Sequence, residues 1–221
     1  MSDAAGLHHV EHVMGMAVSI DVRDDIDPVA IDAVVAWLHH VDATFSTYRI
    51  DSPISRLGLG LCTVEDLEDE VRDVLVLCDE MFDRTGGVFD VAAVPAPNGS
   101  SLDPSGLVKG WSLESAARVL EHHGAANLCL NGGGDIVVRG RPEPGRSWDI
   151  GIRHPGDADA LAAVVGLHGR AAIATSGTYE RGAHIIDTRT GAPTADIASA
   201  TIVGADLTAV DVWATTVFAM G

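Results

Sequence analysis

The sequence predicts an α+β fold, in which short strands are joined both by tight turns and by amphipathic helices. Apolar residues recur at helical spacing in four segments, and short apolar runs typical of strands lie between them. One pair of these runs is separated only by a glycine cluster. A regular doubly wound sheet would alternate strands and helices throughout. No linker rich in proline and serine divides the sequence, so we expect a single domain with mixed sheets and packed helices.

Four helices are predicted from apolar periodicity and from capping residues. Asp27-Pro28 supplies an N-cap and a first-turn proline for the first helix. Gly86-Gly87 ends the second helix, whose early acidic residues are typical of a solvated first turn. Lys109-Gly110 precedes the third. The predicted helices cover about residues 28–43, 63–85, 111–124 and 210–220.

Strands are predicted where short apolar runs lie between turn residues. The run from Leu128 to Val138 predicts a hairpin whose turn is the cluster Gly132-Gly133-Gly134. Residues 1–12 are expected to form an N-terminal tail and residues 13–221 the domain. The predicted strands cover residues 17–22, 128–130, 135–139, 148–152, 164–167, 171–175 and 200–203.

The charge balance argues against two classes of partner. The 221 residues include 32 acidic and 14 basic side chains, for a net charge of -18. Such a chain repels phosphate backbones and anionic lipids, so we expect neither nucleic-acid binding nor stable membrane association. No run of about 18 apolar residues is present. An anionic ligand would therefore need a metal ion or helix N-termini to hold it.

The cysteines indicate a reducing compartment. Cys62, Cys78 and Cys129 are odd in number and far apart, and they show no spacing typical of zinc ligands. We expect three buried thiols without a disulfide. The N-terminal residues lack a basic segment followed by an apolar one. The expected location is therefore cytoplasmic.

The last forty-odd residues carry polar groups within sequence that is otherwise apolar. Burial of His184, Asp187, Asp211 or Thr215 would be unfavourable unless each group found a partner, which favours an active site. Asp211 and Thr215 are four residues apart on a predicted helix, so they share a face and could bind a hard cation such as Mg²⁺. The alternatives are a first-turn aspartate beside a buried threonine, and a structural histidine.

Other short motifs indicate an anion site and a flat ligand. The glycines before Asp135 could bring backbone amides close to a phosphate, although an ordinary hairpin turn explains them as well. Residues 103–110 lead into a helix, whose opening attracts anions, but a plain helix start with an exposed lysine fits equally. Thr175-Ser176-Gly177 ends a strand, where hydroxyls either cap the backbone or face a ligand. Tyr48 and Phe89 offer rings on which a heterocycle could stack.

Taken in order, eight blocks of sequence resemble the ApbE family of FAD:protein FMN transferases, over about residues 13–221. The short block 106–110 is Gly-Leu-Val-Lys-Gly, and 131–136 is Asn-Gly-Gly-Gly-Asp-Ile. The chain departs from the family pattern at Met16 and Gly58 and in a short stretch between Asp90 and Lys109. From its N-terminal residues we also expect no lipoprotein signal. The full set of blocks is 47–57, 87–90, 106–110, 131–136, 148–155, 175–181, 184–191 and 211–215.

The resemblance implies a Mg²⁺-dependent transfer of the FMN moiety of FAD to a threonine hydroxyl of an acceptor protein, with release of AMP. The acceptor would carry a Ser/Thr-Gly-Ala-Thr type motif. It also implies that Gly106, through its carbonyl, Asp211 and Thr215 bind Mg²⁺, and that His184 and, less directly, Asp187 handle the proton. The FAD contacts implied by the resemblance are Met14, Tyr48, Val88, Phe89, Asp90, Lys109, Glu114, Gly133, Thr175, Ser176, Gly177 and Ile185.

Two other functions compete with transfer at the level of sequence. The same site could use water in place of threonine and hydrolyse FAD to FMN and AMP, because only access of the acceptor differs. Alternatively, the protein could bind flavin without catalysis if the short stretch before Lys109 and Gly58 left the site incomplete. The presence of His184, Asp211 and Thr215 together favours catalysis.

Overall fold

A six-stranded antiparallel sheet forms the centre of the fold in a computed structural model, which describes residues 6–177, 186–187, 192–194 and 197–221. Within these ranges the strands are β1 (Leu7–Val13), β2 (Met16–Val22), β3 (Leu128–Gly132), β4 (Asp135–Arg139), β5 (Trp148–His154), β6 (Asp157–Leu167), β7 (Ala171–Gly177), β8 (Ile186–Asp187), β9 (Ala192–Pro193) and β10 (Ser199–Gly204). The order across the main sheet is β1-β2-β3-β4-β7-β10, with each strand antiparallel to its neighbour. β5 pairs with β6 and β8 pairs with β9 in two small sheets.

The helices complete the α+β class that the sequence predicts. They are α1 (Val29–Phe45), α2 (Pro53–Gly58), α3 (Asp69–Arg84), α4 (Ser105–His122) and α5 (Leu207–Met220), with a 3₁₀ turn at Val64–Asp66. None of the helices in the described ranges is both long and apolar enough to cross a membrane.

The two faces of the main sheet bury different partners, because side chains alternate along each strand. Leu128 and Leu130 of β3, with Ala172 and Ala174 of β7, join the core under α1, α4 and α5. Ile173 points to the opposite face and packs with residues of the β5–β6 hairpin. The sheet is thus covered by helices on one side and by a hairpin on the other.

The predicted glycine hairpin is confirmed. Gly132 pairs with Asp135 across a two-residue turn, and Gly133 and Gly134 have φ values of 60° and 93°. A two-residue turn of this kind needs positive φ at both positions, which glycine adopts without steric strain.

The third predicted helix begins earlier than expected. α4 starts at Ser105, whose amide donates to the Asp103 carboxylate at 3.1 Å, so the chain enters the helix before Gly106. The prediction that the helix follows Lys109-Gly110 was therefore wrong, since both residues lie in its second turn. α5 likewise begins at Leu207, because Asp206 accepts hydrogen bonds from the amides of Thr208 and Ala209.

The second predicted helix is split in two. The Asp66 carboxylate accepts from both the amide and the hydroxyl of Thr63, and this local capping closes a short 3₁₀ turn. Leu67 and Glu68 are then extended, and α3 begins at Asp69. Local capping by aspartate therefore interrupts a stretch that apolar periodicity alone treats as continuous.

Among the elements absent from the sequence prediction are β1 and α2. The tail expected over residues 1–12 instead contributes its residues from Leu7 onward to β1, at the edge of the main sheet. α2 is a single short helix that starts with Pro53 and is capped by Ser52, whose hydroxyl accepts from the Ser55 amide at 3.2 Å. The buried-thiol expectation holds for Cys78, where burial raises the thiol pKa to about 12, while Cys62 and Cys129 are partly exposed.

The contact between α4 and α5 is unusually close at Gly110. A Cβ atom at this position would lie 2.6 Å from the Leu207 carbonyl oxygen and 2.8 Å from the Asp211 Cβ. Real Cβ atoms do not approach backbone this closely, so the two helices can meet here only because residue 110 has no side chain.

We expect Gly110→Ala to lower the free energy of unfolding by about 1–3 kcal/mol, because the methyl group would push α4 and α5 apart. Gly106→Ala is the matched control in the same helix, since a Cβ there would meet only Phe89 at 3.4 Å. Alanine favours helix over glycine by up to ~1 kcal/mol, so the control should be neutral or stabilising. Urea denaturation of both variants measures the difference, and equal stabilities would contradict the close-contact argument.

Candidate active site

A cavity of about 680 Å³ lies where one end of the main sheet meets the first turns of α4 and one face of α5. Such a volume is within the range of ordinary small-molecule sites. Its walls come from the β1–β2 and β3–β4 turns, the end of α1, the loop after α3, the first two turns of α4, the end of β7, and α5.

The cavity brings together nearly all the predicted site residues that lie in the described part of the chain. They come from segments that are far apart in sequence, and the fold places them around one space. The predicted residues that line it are Met14, Tyr48, Val88, Phe89, Asp90, Gly106, Lys109, Gly133, Thr175, Ser176, Gly177, Asp211 and Thr215.

Two tight hairpin turns form one wall. Met14 and Gly15 link β1 to β2 with φ values of 54° and 70°, the same two-residue geometry as Gly133 and Gly134 between β3 and β4. A methionine with positive φ is uncommon, and it persists here because the paired strands fix the turn. The Met14 thioether lies 3.9 Å from the Ser112 hydroxyl of α4.

Three ionisable side chains meet at the floor of the cavity. The Lys109 ammonium forms an ion pair with the buried Asp135 carboxylate and lies 3.6 Å from the Asp211 carboxylate. Asp135 also accepts a hydrogen bond from the Thr175 amide at 3.3 Å, which ties the lysine to β4 and β7. Asp211 accepts from the Gly110 amide at 3.0 Å.

Burial raises the pKa of Asp211 to about 8. This pKa is the balance of several effects: the Lys109 ammonium and the Gly110 amide lower it, and the Asp135 carboxylate adds to the rise caused by burial. The ionised Asp211 carboxylate is therefore poorly stabilised by its surroundings, and additional positive charge next to it would stabilise it.

Hydroxyl groups line the side of the cavity formed by β7 and α5. The Ser176 and Thr215 hydroxyls are 3.2 Å apart, and those of Thr175 and Thr201 are 2.9 Å apart. These groups can donate to phosphate oxygens or offer lone pairs to a cation.

The donors around Asp211 suit a hard cation. Thr215 lies one helical turn after Asp211, and both line the cavity together with Gly106. The Gly110 amide donates to the Asp211 carboxylate. In a regular helix this amide donates to the Gly106 carbonyl, so the two acceptors compete for it. Within the described ranges no three His, Cys, Asp or Glu side chains gather as a metal site, so a cation here would be held by mixed oxygen donors.

Comparison with known proteins identifies the family. The sequence profile of the ApbE family matches residues 14–98 and 93–221, which is most of the chain. The chain belongs to the ApbE family. Two relatives named FAD:protein FMN transferase come from Salmonella typhimurium, with 29% identity over 64% of this chain, and from Haemophilus influenzae, with 32% identity over 54%. The matched parts are 42% and 38% of those relatives' own lengths, so the chain corresponds to about two fifths of each.

Solved ApbE structures share the fold. The flavin transferase ApbE from Vibrio cholerae superposes with a TM-score of 0.84 at 23% identity, covering 98% of this chain and 87% of that one. The ApbE protein from Thermotoga maritima gives a TM-score of 0.83 at 20% identity, covering 97% and 87%. The family and the α+β fold expected from the sequence are thereby confirmed.

One residue expected to contact FAD in this ApbE-family chain is placed elsewhere. Glu114 does not line the cavity; its carboxylate is buried and bound by Arg139, Arg170 and the Leu207 amide. The sequence reasoning also missed Asp135 as a site residue, because its partners, Lys109 and the Thr175 amide, are distant in sequence. Its signal was a carboxylate placed at the start of a fully buried strand.

The proton-handling residues cannot be placed in the same way. His184 and Ile185 lie outside the described residues. Asp187 belongs to β8, but its side chain is not among those described.

In EDTA we expect the free energy of unfolding to fall as the pH rises from about 4 to about 8. Over this window the folded protein keeps a proton on Asp211 that the unfolded chain, with an ordinary pKa of 3.8, has released. Asp211→Asn should remove this part of the slope, whereas Asp73→Asn, at an exposed position of α3, should keep it. Urea denaturation across the window measures both, and identical slopes in all three proteins would contradict the assignment.

Proposed function

We propose that this protein transfers the FMN moiety of FAD to a threonine hydroxyl of an acceptor protein and releases AMP. The observation that carries the proposal is the convergence of Asp211, Thr215, Gly106 and Lys109 in one cavity that aromatic side chains also line. The name shared by the curated relatives supports the same activity.

The flavin and adenine are proposed to occupy the parts of the cavity near Tyr48 and Phe89. Tyr48 is largely exposed and Phe89 is buried, so one ring can close over a ligand while the other forms a fixed surface. Aromatic faces of this kind stack on flat heterocycles. Met14, on the opposing turn, adds a polarizable apolar contact.

The pyrophosphate is proposed to lie between the first turn of α4 and the end of β7. Among the lining residues in the described ranges, Lys109 is the one basic side chain, and Asp42, Asp90 and Asp103 also line the cavity. A dianion therefore needs further positive charge. The α4 N-terminus at Ser105 supplies part of it through its amides and the helix dipole.

Mg²⁺ is proposed to supply the remainder, held by the Asp211 carboxylate, the Thr215 hydroxyl and the Gly106 carbonyl. When bound, the ion would offset charge on the pyrophosphate oxygens and so lower the barrier to phosphoryl transfer. Asp211 fits this role because it is a buried carboxylate facing the cavity, and because its ionised form is otherwise poorly stabilised.

The proposed reaction forms one bond and breaks one. The acceptor threonine oxygen attacks the phosphorus that carries the riboflavin half, and the bond from that phosphorus to the bridging oxygen breaks. AMP leaves with the bond's electron pair, and the threonine proton passes to a base. We assign that base to His184, with Asp187, three residues later, in a supporting role.

The acceptor is proposed to carry a Ser/Thr-Gly-Ala-Thr type motif, and the working compartment is proposed to be the cytoplasm. The three cysteines are unpaired, which supports a reducing environment.

We expect Mg²⁺ to be required for transfer, and Asp211→Ala to abolish transfer without unfolding the protein. The test incubates the protein with FAD, Mg²⁺ and a peptide carrying the acceptor motif, and mass spectrometry detects the peptide bearing FMN. Asp73→Ala is the control for removal of an exposed carboxylate. Full activity in EDTA, or of Asp211→Ala, would contradict the metal assignment. Free FMN with unmodified peptide would indicate hydrolysis, and intact FAD would indicate binding alone.

We expect His184→Ala to reduce the rate constant of flavin transfer by about 10²- to 10⁴-fold, because removal of a general base has an effect of this size. The affinity for FAD should change little, since the flavin and pyrophosphate are held by other residues. His168→Ala, at an exposed position after β6, is the matched control. Rapid-quench kinetics and FAD titration separate the two quantities. A proportional loss of FAD affinity and rate would show that His184 contacts the ligand instead.

A further inference from the structure

Glu114 is a buried residue of α4 outside the cavity lining, and its two carboxylate oxygens have different partners. One oxygen accepts from Arg139 Nη2 at 2.5 Å and from Arg170 Nη1 at 3.1 Å. The other accepts from the Leu207 amide at 3.1 Å. Only about 1% of the Glu114 side chain is exposed.

The Leu207 amide is the first of α5, and amides at this position have no partner within their own helix. Glu114 satisfies it from a different helix. Asp211 lies four residues after Leu207, on the same face of α5, and its carboxylate accepts from the Gly110 amide. Gly110 lies four residues before Glu114 on α4.

Two reciprocal hydrogen bonds therefore join the helices. The Gly110 amide of α4 donates to the Asp211 carboxylate of α5, and the Leu207 amide of α5 donates to the Glu114 carboxylate of α4. One bond lies at the cavity and the other lies one helical turn away from it. Because the two bonds lie one helical turn apart, together they restrict how far α5 can slide along α4.

We propose that Glu114 is a positioning residue that fixes the register of α5 on α4 and thereby places Asp211 and Thr215 for the cation. The proposal rests on the proposed function for the identity of that cation, but its geometric part stands independently. Arg139 of β4 and Arg170, in the turn before β7, help to position Glu114, because both donate hydrogen bonds to its carboxylate.

Glu121 provides a comparison within the same ionic network. Its carboxylate accepts from Arg139 Nε at 3.1 Å and from Arg170 Nη2 at 2.8 Å, so it shares both arginines with Glu114. It makes no hydrogen bond to α5 among the described residues. A general loss of network charge should thus affect Glu114 and Glu121 variants alike, whereas a loss of helix register should affect only Glu114.

The test compares Glu114→Gln with Glu121→Gln. A glutamine at 114 keeps the shape of the side chain, but it presents a donor on one side where acceptors are needed on both. The first readout is hydrogen exchange of the Gly110 amide in EDTA without FAD. We expect exchange to be about tenfold faster in Glu114→Gln and unchanged in Glu121→Gln.

The second readout is the Mg²⁺ concentration that half-saturates the enhancement of FAD binding. Changes in residues that orient metal ligands typically weaken metal affinity by about 10- to 100-fold, so we expect at least a tenfold increase for Glu114→Gln. Excess Mg²⁺ should restore its rate of flavin transfer. Unchanged Gly110 exchange, or equal effects in Glu121→Gln, would overturn the proposal.

A paired variant covers the case in which Glu114→Gln does not fold because Arg139 is left without its buried partner. Glu114→Met with Arg139→Met removes both charges together while it still removes the acceptor of the Leu207 amide. Faster Gly110 exchange in this variant supports the proposal, and exchange at the wild-type rate overturns it. If the wild-type protein neither requires Mg²⁺ nor transfers flavin, the proposed function fails, while the exchange result still decides the role of Glu114.

Discussion

The close crossing of α4 and α5 is the constraint on which the rest of the site depends. Gly110 allows the two helices to approach, and its amide is then within reach of Asp211. The same crossing places the first turn of α4 and the middle of α5 on one cavity. A side chain at residue 110 would separate not only two helices but also the carboxylate, hydroxyl and carbonyl groups that converge between them.

Local signals in the sequence were sufficient for much of the fold, and tertiary contacts explain the exceptions. α1 and the β3–β4 hairpin could be predicted because their apolar periodicity and turn glycines act within a few residues. The start of α4 could not, because Gly106 and Gly110 disfavour helix locally and only the packing against α5 reveals why glycine is needed. β1 was missed because its histidines and glutamate lack the apolar alternation of a strand, and pairing with β2 defines it.

In the site, too, some residues could be predicted from the sequence, and others depend on tertiary contacts. The family resemblance predicted that the cavity residues share one site. Apolar periodicity could not, because it reports only contacts within a single helix or strand. Asp135 was missed because its partners, Lys109 and the Thr175 amide, are distant in sequence. Glu114 was assigned to the ligand by family resemblance alone, yet its side chain lies outside the cavity lining and is bound by the buried Arg139.

The two positive-φ turns make part of the cavity wall rigid before any ligand binds. Each turn has only two residues and is fixed at both ends by strand pairing, so Met14 and Gly133 have little conformational freedom to lose. This part of the wall is preorganised as soon as the sheet has folded. A ligand that contacts it therefore loses little binding free energy to the ordering of these turns.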